Sequence, residues 1–226
     1  MKYILMDIEG TTTSISFVHD ILFPYSKDRI STYINTHKNE EQIKNIIAET
    51  KQTTALENQI QLNDEQSIAQ LIEWVKIDRK HPALKKLQGL IWSEGYLSGE
   101  LKGHVYQDVP EALEKWHSAN ITLGIYSSGS IEAQRDLFGY SIYGDLNCFI
   151  SNNFDTSIGP KREENSYRNI SLKLNIHPAE IIFLSDISEE LEAAKKVGFK
   201  TIQLVRLEDI PYSGHDQVKT FQDIRF

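Results

Sequence analysis

Short apolar runs recur along the chain and predict buried β-strands. They occupy residues 3–6, 121–126, 148–150, 181–184 and 201–205. The runs are continuous rather than alternating, which is typical of parallel strands covered on both faces. Apolar residues at helical spacing separate the later runs, and the first of these helices is predicted to begin at Pro110. This order predicts an α/β fold with a Rossmann-like, doubly wound parallel sheet.

The segment between the first two runs has a different pattern. Its apolar residues recur at helical spacing, as in Ile68, Leu71, Ile72 and Val75, and it shows no strand pattern. We therefore predict a core of residues 1–19 and 104–226, with an all-helical cap of residues 20–103 inserted after the first strand. An insertion at this place is expected to act as a lid, and a helical subdomain without that role is the alternative.

Composition narrows the functional classes. The 226 residues are 40% hydrophobic, which is enough for a sizeable core, and the net charge of −8 does not favour nucleic-acid binding. The single cysteine, Cys148, excludes an internal disulfide, and its apolar neighbours predict a buried thiol. The sequence shows no signal-peptide or membrane-spanning pattern, so we expect a cytoplasmic protein without membrane association.

Two carboxylates, Asp7 and Glu9, directly follow the first predicted strand. Alternate residues of an extended chain lie on the same side, so both acids can face one site. Open α/β folds bind ligands at this carboxyl edge of the sheet. The pair suggests a hard cation, an acid/base pair or an aspartyl nucleophile, and a solvated acidic turn is the alternative.

Three later segments add phosphate and metal chemistry. Ser127 and Ser128 precede a predicted helix, where hydroxyls either bind a phosphate or cap the helix. Lys161 offers a point charge for a phosphate, although most lysines are solvated. Asp186 follows the fourth apolar run and is either a second metal-binding carboxylate beside Asp7 or a helix cap.

In chain order, these four segments resemble the four motifs of the haloacid dehalogenase-like superfamily. The chain is more specifically similar to the acireductone synthases, the enolase-phosphatases of methionine salvage, because Glu9 stands where generic members carry aspartate. The similar segments are residues 7–13, 15–20, 22–25, 87–92, 95–96, 103–106, 108–110, 126–130, 154–156, 159–161, 166–168 and 183–186. Ser14, where proline is common, and residues 207–209 depart from the family pattern.

The resemblance implies a monomeric, Mg2+-dependent enzyme that acts on a small phosphate ester, 2,3-diketo-5-methylthiopentyl 1-phosphate. The products would be phosphate and the acireductone 1,2-dihydroxy-3-keto-5-methylthiopentene. Asp7 would attack phosphorus. Asp7, Asp186 and the main-chain carbonyl of Glu9 would hold the metal, which leaves the Glu9 side chain for proton transfer.

The remaining implied roles concern substrate contacts. Ser127, Ser128 and Lys161 would bind the phosphoryl oxygens, with Lys161 also offsetting the charge of the carboxylates. Glu190 would orient Lys161 or the metal shell, although we expect it to be a solvated helix acid. His19 and Asp20 would lie near the substrate, with a hinge contact as the alternative. Trp92 and Tyr96 would line the pocket, although we expect at least one of them to be buried lid core. Solvated or structural roles are expected for the other histidines.

Three alternative functions fit parts of the pattern. A superfamily phosphatase for sugar phosphates shares the four motifs, but the insertion and Glu9 argue against it. A phosphoacceptor signalling domain also uses an aspartate, a hydroxyl and a lysine, yet it is expected to be about half as long. A binding module without activity is disfavoured because every motif side chain is present. Release of phosphate distinguishes an enzyme from the last two.

Overall fold

The computed structural model describes residues 1–206 and 212–225. The chain divides into two compact units, one formed by Met1–Ile15 with Lys102–Phe226 and the other by Ser16–Leu101. The expected function of residues 20–103 as a cap stays a prediction. The departure from the family pattern at residues 207–209 lies outside the described residues.

Six strands of the described residues form the sheet of the first unit. They are β1 (Tyr3–Met6), β2 (Thr122–Tyr126), β3 (Asn152–Phe154), β4 (Ile181–Ser185), β5 (Lys200–Leu204) and β6 (Asp216–Val218). Their order is β3-β2-β1-β4-β5-β6, and every pairing is parallel. The chain order reverses at β1, so the carboxyl ends of β1, β2 and β4 surround a topological switch point where ligands bind. The predicted doubly wound α/β fold is confirmed.

Eight α-helices are described along the chain. They are α1 (Phe23–Thr36), α2 (Glu41–Asn58), α3 (Asp64–Lys76), α4 (Pro82–Ser98), α5 (Asp108–Ser118), α6 (Ile131–Gly139), α7 (Glu164–Leu174) and α8 (Ser188–Val197). The helix predicted to begin at Pro110 begins two residues earlier, at Asp108. None of the described helices is long and apolar enough to span a membrane.

The first unit buries aromatic and aliphatic side chains between its sheet and the last two helices. Tyr3, Tyr126, Tyr167 and Phe183 belong to this core, together with Leu191 of α8. Tyr167 lies against both Phe183 and Tyr126 at ring-centroid distances of 5.2 and 5.7 Å. These aromatic contacts pack α7 against β2 and β4.

The second unit is helical throughout apart from its loops and a short π-helical segment, Phe17–Leu22. Its core joins α1, α2, α3 and α4 through buried side chains at the helical spacing seen in the sequence. The members with the least exposure are Ile30, Ile43, Ile46, Leu71, Trp74, Ala83, Leu84, Leu87 and Ile91. The all-helical character predicted for this segment is therefore observed.

The third predicted strand was wrong in position. Residues 147–149 form a short 3₁₀ turn, and β3 lies at Asn152–Phe154, four residues later than the predicted strand of residues 148–150. This strand is short and polar, and the side-chain amides of its two asparagines are hydrogen-bonded. Asn152 accepts from the Tyr3 hydroxyl, and Asn153 donates to Gln134. Cys148, expected to be a buried thiol, is exposed. Strand β6 has no apolar run in the sequence and was not predicted.

Glycine is required on β2 where the core tyrosine Tyr3 crosses the strand. A Cβ on Gly124 would lie 1.9 Å from the Tyr3 hydroxyl, whose ring is fully buried. We predict that Gly124→Ala lowers the free energy of unfolding by about 2 kcal/mol through overpacking. Urea unfolding followed by circular dichroism measures the change.

The control is Gly89→Ala in α4, where an added Cβ meets nothing within 4 Å. Alanine favours a helix over glycine, so this variant should be about 0.5–1 kcal/mol more stable. Equal destabilisation by both substitutions would contradict the argument from Tyr3.

Candidate active site

The first candidate carboxylate leaves the centre of the sheet in a tight turn. Asp7 follows β1 and is 5% exposed, and its N–H donates to the carbonyl of Leu184 on β4. The carbonyl of Ile8 accepts from the N–H groups of the three threonines that follow Gly10. Gly10 has φ of +69°, a conformation that glycine adopts without strain. The turn therefore directs Asp7 and Glu9 to the carboxyl edge of the sheet.

Asp186 lies directly against this turn. A Cβ on Gly10 would lie 2.2 Å from Oδ2 of Asp186, so the two segments approach more closely than any other residue type allows. The Thr11 hydroxyl donates to Asp186 Oδ1 at 3.4 Å, and Gln203 donates to the Asp186 carbonyl at 2.9 Å. Asp186 does not cap α8, whose N-cap position is Ile187.

A buried arginine supports the same turn from the other side. Arg206 donates from Nη2 and Nε to the Thr11 carbonyl at 2.8 and 3.1 Å. The same guanidinium donates to both carboxylate oxygens of Asp108 at 2.9 and 2.8 Å, and it lies 4.3 Å from the ring centre of Tyr106. The contact between Arg206 and Asp108 is not predictable from the sequence, because no local pattern pairs two residues so far apart in the chain.

Lys161 joins two of the acids. Its ammonium lies 2.6 Å from Asp7 Oδ1 and 2.6 Å from Glu190 Oε2, and the lysine side chain is 9% exposed. Burial alone lowers the pKa of Lys161, but the charges of Asp7 and Glu190 outweigh it and raise that pKa. The ammonium is therefore held in its charged form.

The expectation that Glu190 is a solvated helix acid was wrong. This residue is 8% exposed, and its carboxylate also accepts from the Ser185 hydroxyl at 3.1 Å. Burial and the charge of Asp7 raise the pKa of Glu190. It occupies the first turn of α8 on the side facing the sheet, where helical periodicity alone does not distinguish an acid that pairs with a distant lysine.

The serine pair follows β2 at the same edge. Ser130, rather than Ser127 or Ser128, caps α6 by accepting from the N–H of Ala133 at 3.2 Å. Ser127 is 5% exposed. The buried Gln134 fixes the loop by donating to the carbonyl of Gly129, a contact that sequence analysis missed. The cap and the candidate phosphate-binding hydroxyls are thus different residues.

One cavity collects the predicted residues. It has a volume of about 360 Å³ and is lined by Asp7, Glu9, Ser127, Ser128, Lys161 and Asp186, together with Glu190, Ile15, Thr156, Pro160, Arg162 and Ile187. A larger, open depression of about 800 Å³ over the starts of α7 and α8 contains none of the six predicted residues. The residues with predicted catalytic, metal-binding and phosphate-binding roles therefore line the smaller cavity.

The acids of this cavity suit a divalent cation. Burial, and then the charge of Asp7, raise the pKa of Asp186 to about 7. No group of three or more acidic, histidine or cysteine side chains in the described part of the chain is arranged to hold a metal. Two carboxylates plus main-chain oxygens are nevertheless the donors that a hard cation uses when water and substrate supply the remaining ligands. A cation would also relieve the repulsion that raises the Asp186 pKa.

The other expected contact residues lie in the helical unit. His19 and Asp20 are exposed in the π-helical segment, and the His19 ring contacts Phe23. Trp92 donates to the carbonyl of Leu22 at 2.8 Å, and Tyr96 is buried at 2% exposure. Tyr96 thus matches the expectation of helical core, while a substrate contact by any of these residues stays a prediction.

Two of the remaining histidines have the structural roles expected of them. His81 and His177 accept from main-chain N–H groups at the starts of a helix and a 3₁₀ turn. A third, His104, accepts at Nδ1 from the N–H of Ser14 at 3.2 Å.

Comparison with known proteins places these features in a family. Residues 1–198 match the haloacid dehalogenase-like hydrolase family. The enolase-phosphatase E1 of Klebsiella oxytoca is 47% identical over 224 residues, which cover 99% of this chain and 96% of that protein. The enolase-phosphatase E1 of Methylococcus capsulatus is 44% identical, with 100% and 98% covered.

Solved structures agree with the fold. The crystal structure of the unknown transcript 4 protein of Saccharomyces cerevisiae has a TM-score of 0.81 and 34% identity, with 99% of each chain covered. A phosphatase from Thermococcus onnurineus has a TM-score of 0.64 at 18% identity, with 99% of this chain and 95% of that chain covered, and this likeness concerns the fold alone.

The raised pKa of Asp186 predicts that ionisation of this carboxyl lowers the free energy of unfolding of the metal-free protein, a penalty that depends on pH. The folded state binds this proton more tightly than the unfolded state, whose carboxyl titrates near 3.8, so the penalty grows between about pH 4 and the folded pKa of about 7. With a chelator present, Asp186→Asn should therefore be more stable than wild type above pH 7, by about 2–4 kcal/mol. Urea unfolding between pH 4 and 8 measures the difference.

The control is Asp223→Asn, which should lower the free energy of unfolding where Asp186→Asn raises it. A hydrogen bond from Thr220 lowers the pKa of Asp223, so its charge stabilises the folded state at neutral pH and its removal destabilises. A gain in stability for Asp186→Asn that does not vary with pH would contradict the electrostatic explanation.

Removal of the Lys161 ammonium should leave two buried acids, Asp7 and Glu190, facing each other. We predict that Lys161→Met lowers the free energy of unfolding at pH 7 by about 3–5 kcal/mol. The loss should shrink as the pH is lowered from 7, because Glu190 has a raised folded pKa and its protonation removes one of the two charges. Lys2→Met, which removes an exposed ion pair with Glu180, should leave stability unchanged over the same pH range.

Proposed function

The chain belongs to the enolase-phosphatase E1 family of the haloacid dehalogenase-like hydrolases, and we propose that its cavity converts 2,3-diketo-5-methylthiopentyl 1-phosphate to the acireductone and phosphate in methionine salvage. The observation that supports this proposal is the meeting of Asp7, Glu9, Lys161 and Asp186 with two serine hydroxyls around one cavity. We further propose that the protein acts as a cytoplasmic monomer on a small phosphate ester, without nucleic-acid or membrane partners.

Asp7 is the proposed nucleophile. Its carboxylate oxygen attacks phosphorus, the bond to the substrate oxygen breaks, and water later hydrolyses the aspartyl phosphate. Asp7 directly follows the central strand β1 and is buried, so its position relative to the sheet is fixed. Lys161, 2.6 Å away, offsets the negative charge that would otherwise repel a phosphate dianion.

The phosphoryl oxygens are bound by groups from the two neighbouring loops. The hydroxyls of Ser127 and Ser128 follow β2, and the ammonium of Lys161 follows β3. These donors line the cavity together with the nucleophile, which allows the phosphorus to be held within reach of Asp7. Binding of this kind lowers the entropy lost in reaching the transition state.

A divalent metal ion is typical of this family, and Mg2+ is the ion we propose. The carboxylates of Asp7 and Asp186 and the main-chain carbonyl of Glu9 would hold it, because hard oxygen donors are its preferred ligands. When bound, the ion supplies positive charge that neutralises the substrate phosphate and the acids.

Enolisation requires a group that moves a proton. Glu9 lines the cavity, and its side chain is the proposed acid/base, which removes a proton next to the substrate carbonyl or donates one to the leaving oxygen. In the proposed arrangement the metal contact uses the main-chain carbonyl of Glu9. Its side chain is therefore the acid that we assign to proton transfer.

The test follows two products in the same samples. Purified wild type, Asp7→Asn and Glu9→Gln are incubated with the diketone phosphate, with Mg2+ or with a chelator. Phosphate release and the near-ultraviolet absorbance of the acireductone are recorded. Asp7→Asn should lose at least about a thousandfold in both signals, and Glu9→Gln at least about a hundredfold in acireductone formation.

The matched control is Asp145→Asn, which changes an exposed aspartate of the same unit outside the cavity and should keep wild-type rates. Release of phosphate from sugar phosphates but not from the diketone would overturn the substrate and keep the phosphatase chemistry. Failure to release phosphate from any ester would support a binding or signalling role instead.

A further inference from the structure

The loop that carries Lys161 has its backbone held by side-chain hydroxyls. Three consecutive carbonyls, those of residues 159–161, each accept one hydrogen bond from a different hydroxyl. The donors and distances are Tyr126 to Gly159 at 2.8 Å, Ser166 to Pro160 at 2.6 Å, and Tyr167 to Lys161 at 2.6 Å. We call the three hydroxyl donors, Tyr126, Ser166 and Tyr167, the hydroxyl clamp.

The donors of the clamp are themselves immobilised. Tyr126 ends β2, and Ser166 and Tyr167 lie in the first turn of α7. All three are buried, with exposed fractions of 0, 1 and 0%. The two tyrosine rings pack edge to face at a centroid distance of 5.7 Å within the main core. The clamp therefore ties the loop to a strand and a helix of the rigid core.

The loop is shaped to fit the clamp. Gly159 has φ of +139°, and a Cβ at this position would lie 2.2 Å from the Ser166 hydroxyl. Only glycine allows the backbone to come this near. The close approach and the three hydrogen bonds restrict the same three residues.

Lys161 needs this restriction because its side chain is long. A lysine has a flexible four-carbon stem, and its ammonium carries no directional fork to select one position. Its ammonium nevertheless lies 2.6 Å from both Asp7 and Glu190. The carboxylates define one end of this side chain, and the Tyr167 hydroxyl fixes the main-chain carbonyl at the other end.

We propose that Tyr126 and Tyr167 are positioning residues for the reaction, which place the Lys161 ammonium for phosphate through the loop backbone. The inference rests on the proposed function of Lys161 as a phosphate-binding group. Neither tyrosine lines the cavity, so neither is assigned a contact with substrate.

The experiment removes each hydroxyl while keeping the ring. Tyr126→Phe, Tyr167→Phe and the double variant are assayed with the diketone phosphate, and inorganic phosphate is tested as a competitive inhibitor. Lys161 binds the phosphoryl group in the ground state as well, so KM and the inhibition constant of phosphate should both rise about tenfold in the double variant.

Tyr3→Phe is the matched control. Tyr3 is buried in the same core, but its hydroxyl donates to Asn152 at 3.0 Å and not to the loop. This variant should keep KM and the inhibition constant within about twofold of wild type. Thermal unfolding of all variants reports the structural cost of losing a buried hydroxyl. Equal KM values for Tyr167→Phe and Tyr3→Phe would overturn the proposal.

A double-mutant cycle tests whether Tyr167 affects phosphate binding through Lys161 or independently of it. Binding of inorganic phosphate is measured by calorimetry for wild type, Tyr167→Phe, Lys161→Met and the combined variant. If the tyrosine acts through the lysine, Tyr167→Phe weakens phosphate binding only where Lys161 is present. Equal weakening in both backgrounds would overturn the inference. A wild type that binds phosphate but leaves the diketone phosphate intact would instead count against the proposed function.

Discussion

The site depends on one buried ammonium shared by two buried carboxylates. Lys161 lies between Asp7 and Glu190, and all three side chains are about nine-tenths buried. A buried ion is costly unless it is paired, so removal of any member leaves the others in an unfavourable environment. The triad carries one more negative than positive charge, and Asp186 adds a further acid to the same cavity. The fold therefore has to hold an arrangement that is not neutral by itself.

The architecture meets this demand with backbone contacts. Gly10 lets Asp186 approach the turn after β1, and Gly159 lets the lysine loop approach Ser166. In both places a side chain would enter space already occupied by an oxygen atom. Arg206 adds two donors to the Thr11 carbonyl, which ties the same turn to the segment after β5. Because main-chain atoms are held on several sides, the acids keep their separation despite their repulsion.

Sequence alone predicted the parts of the site that follow strands. Asp7 and Ser127 come directly after an apolar run and Asp186 comes one residue later, and the carboxyl ends of parallel strands meet at one edge. The strand before Lys161 was misplaced, because β3 is short and polar and its amides are satisfied by side chains distant in sequence. The lysine was nevertheless identified, since its motif does not depend on the strand boundary.

The residues that the sequence did not reveal act through distant partners. Glu190 was assigned to solvent because a helix acid usually faces water, yet this one faces Lys161. Arg206 pairs with Asp108, a residue almost a hundred positions earlier. Tyr126 was predicted only as part of a buried apolar run, which says nothing about its hydroxyl. Periodicity tells which side of a helix or strand is buried, but it carries no information about the polar atom met on that side.

The electrostatics of the cavity indicate what completes it. Asp186 has a pKa raised by burial and by Asp7, so its charged form is disfavoured until positive charge arrives. The charge of Lys161 offsets this rise only in part, because its ammonium pairs directly with Asp7 and Glu190. A cation bound at Asp186 would favour the ionised form of this carboxylate and would support the proposed attack by Asp7. The imbalance that makes this site costly in the free protein would thus contribute affinity for the proposed metal, and through that metal for the phosphate of the substrate.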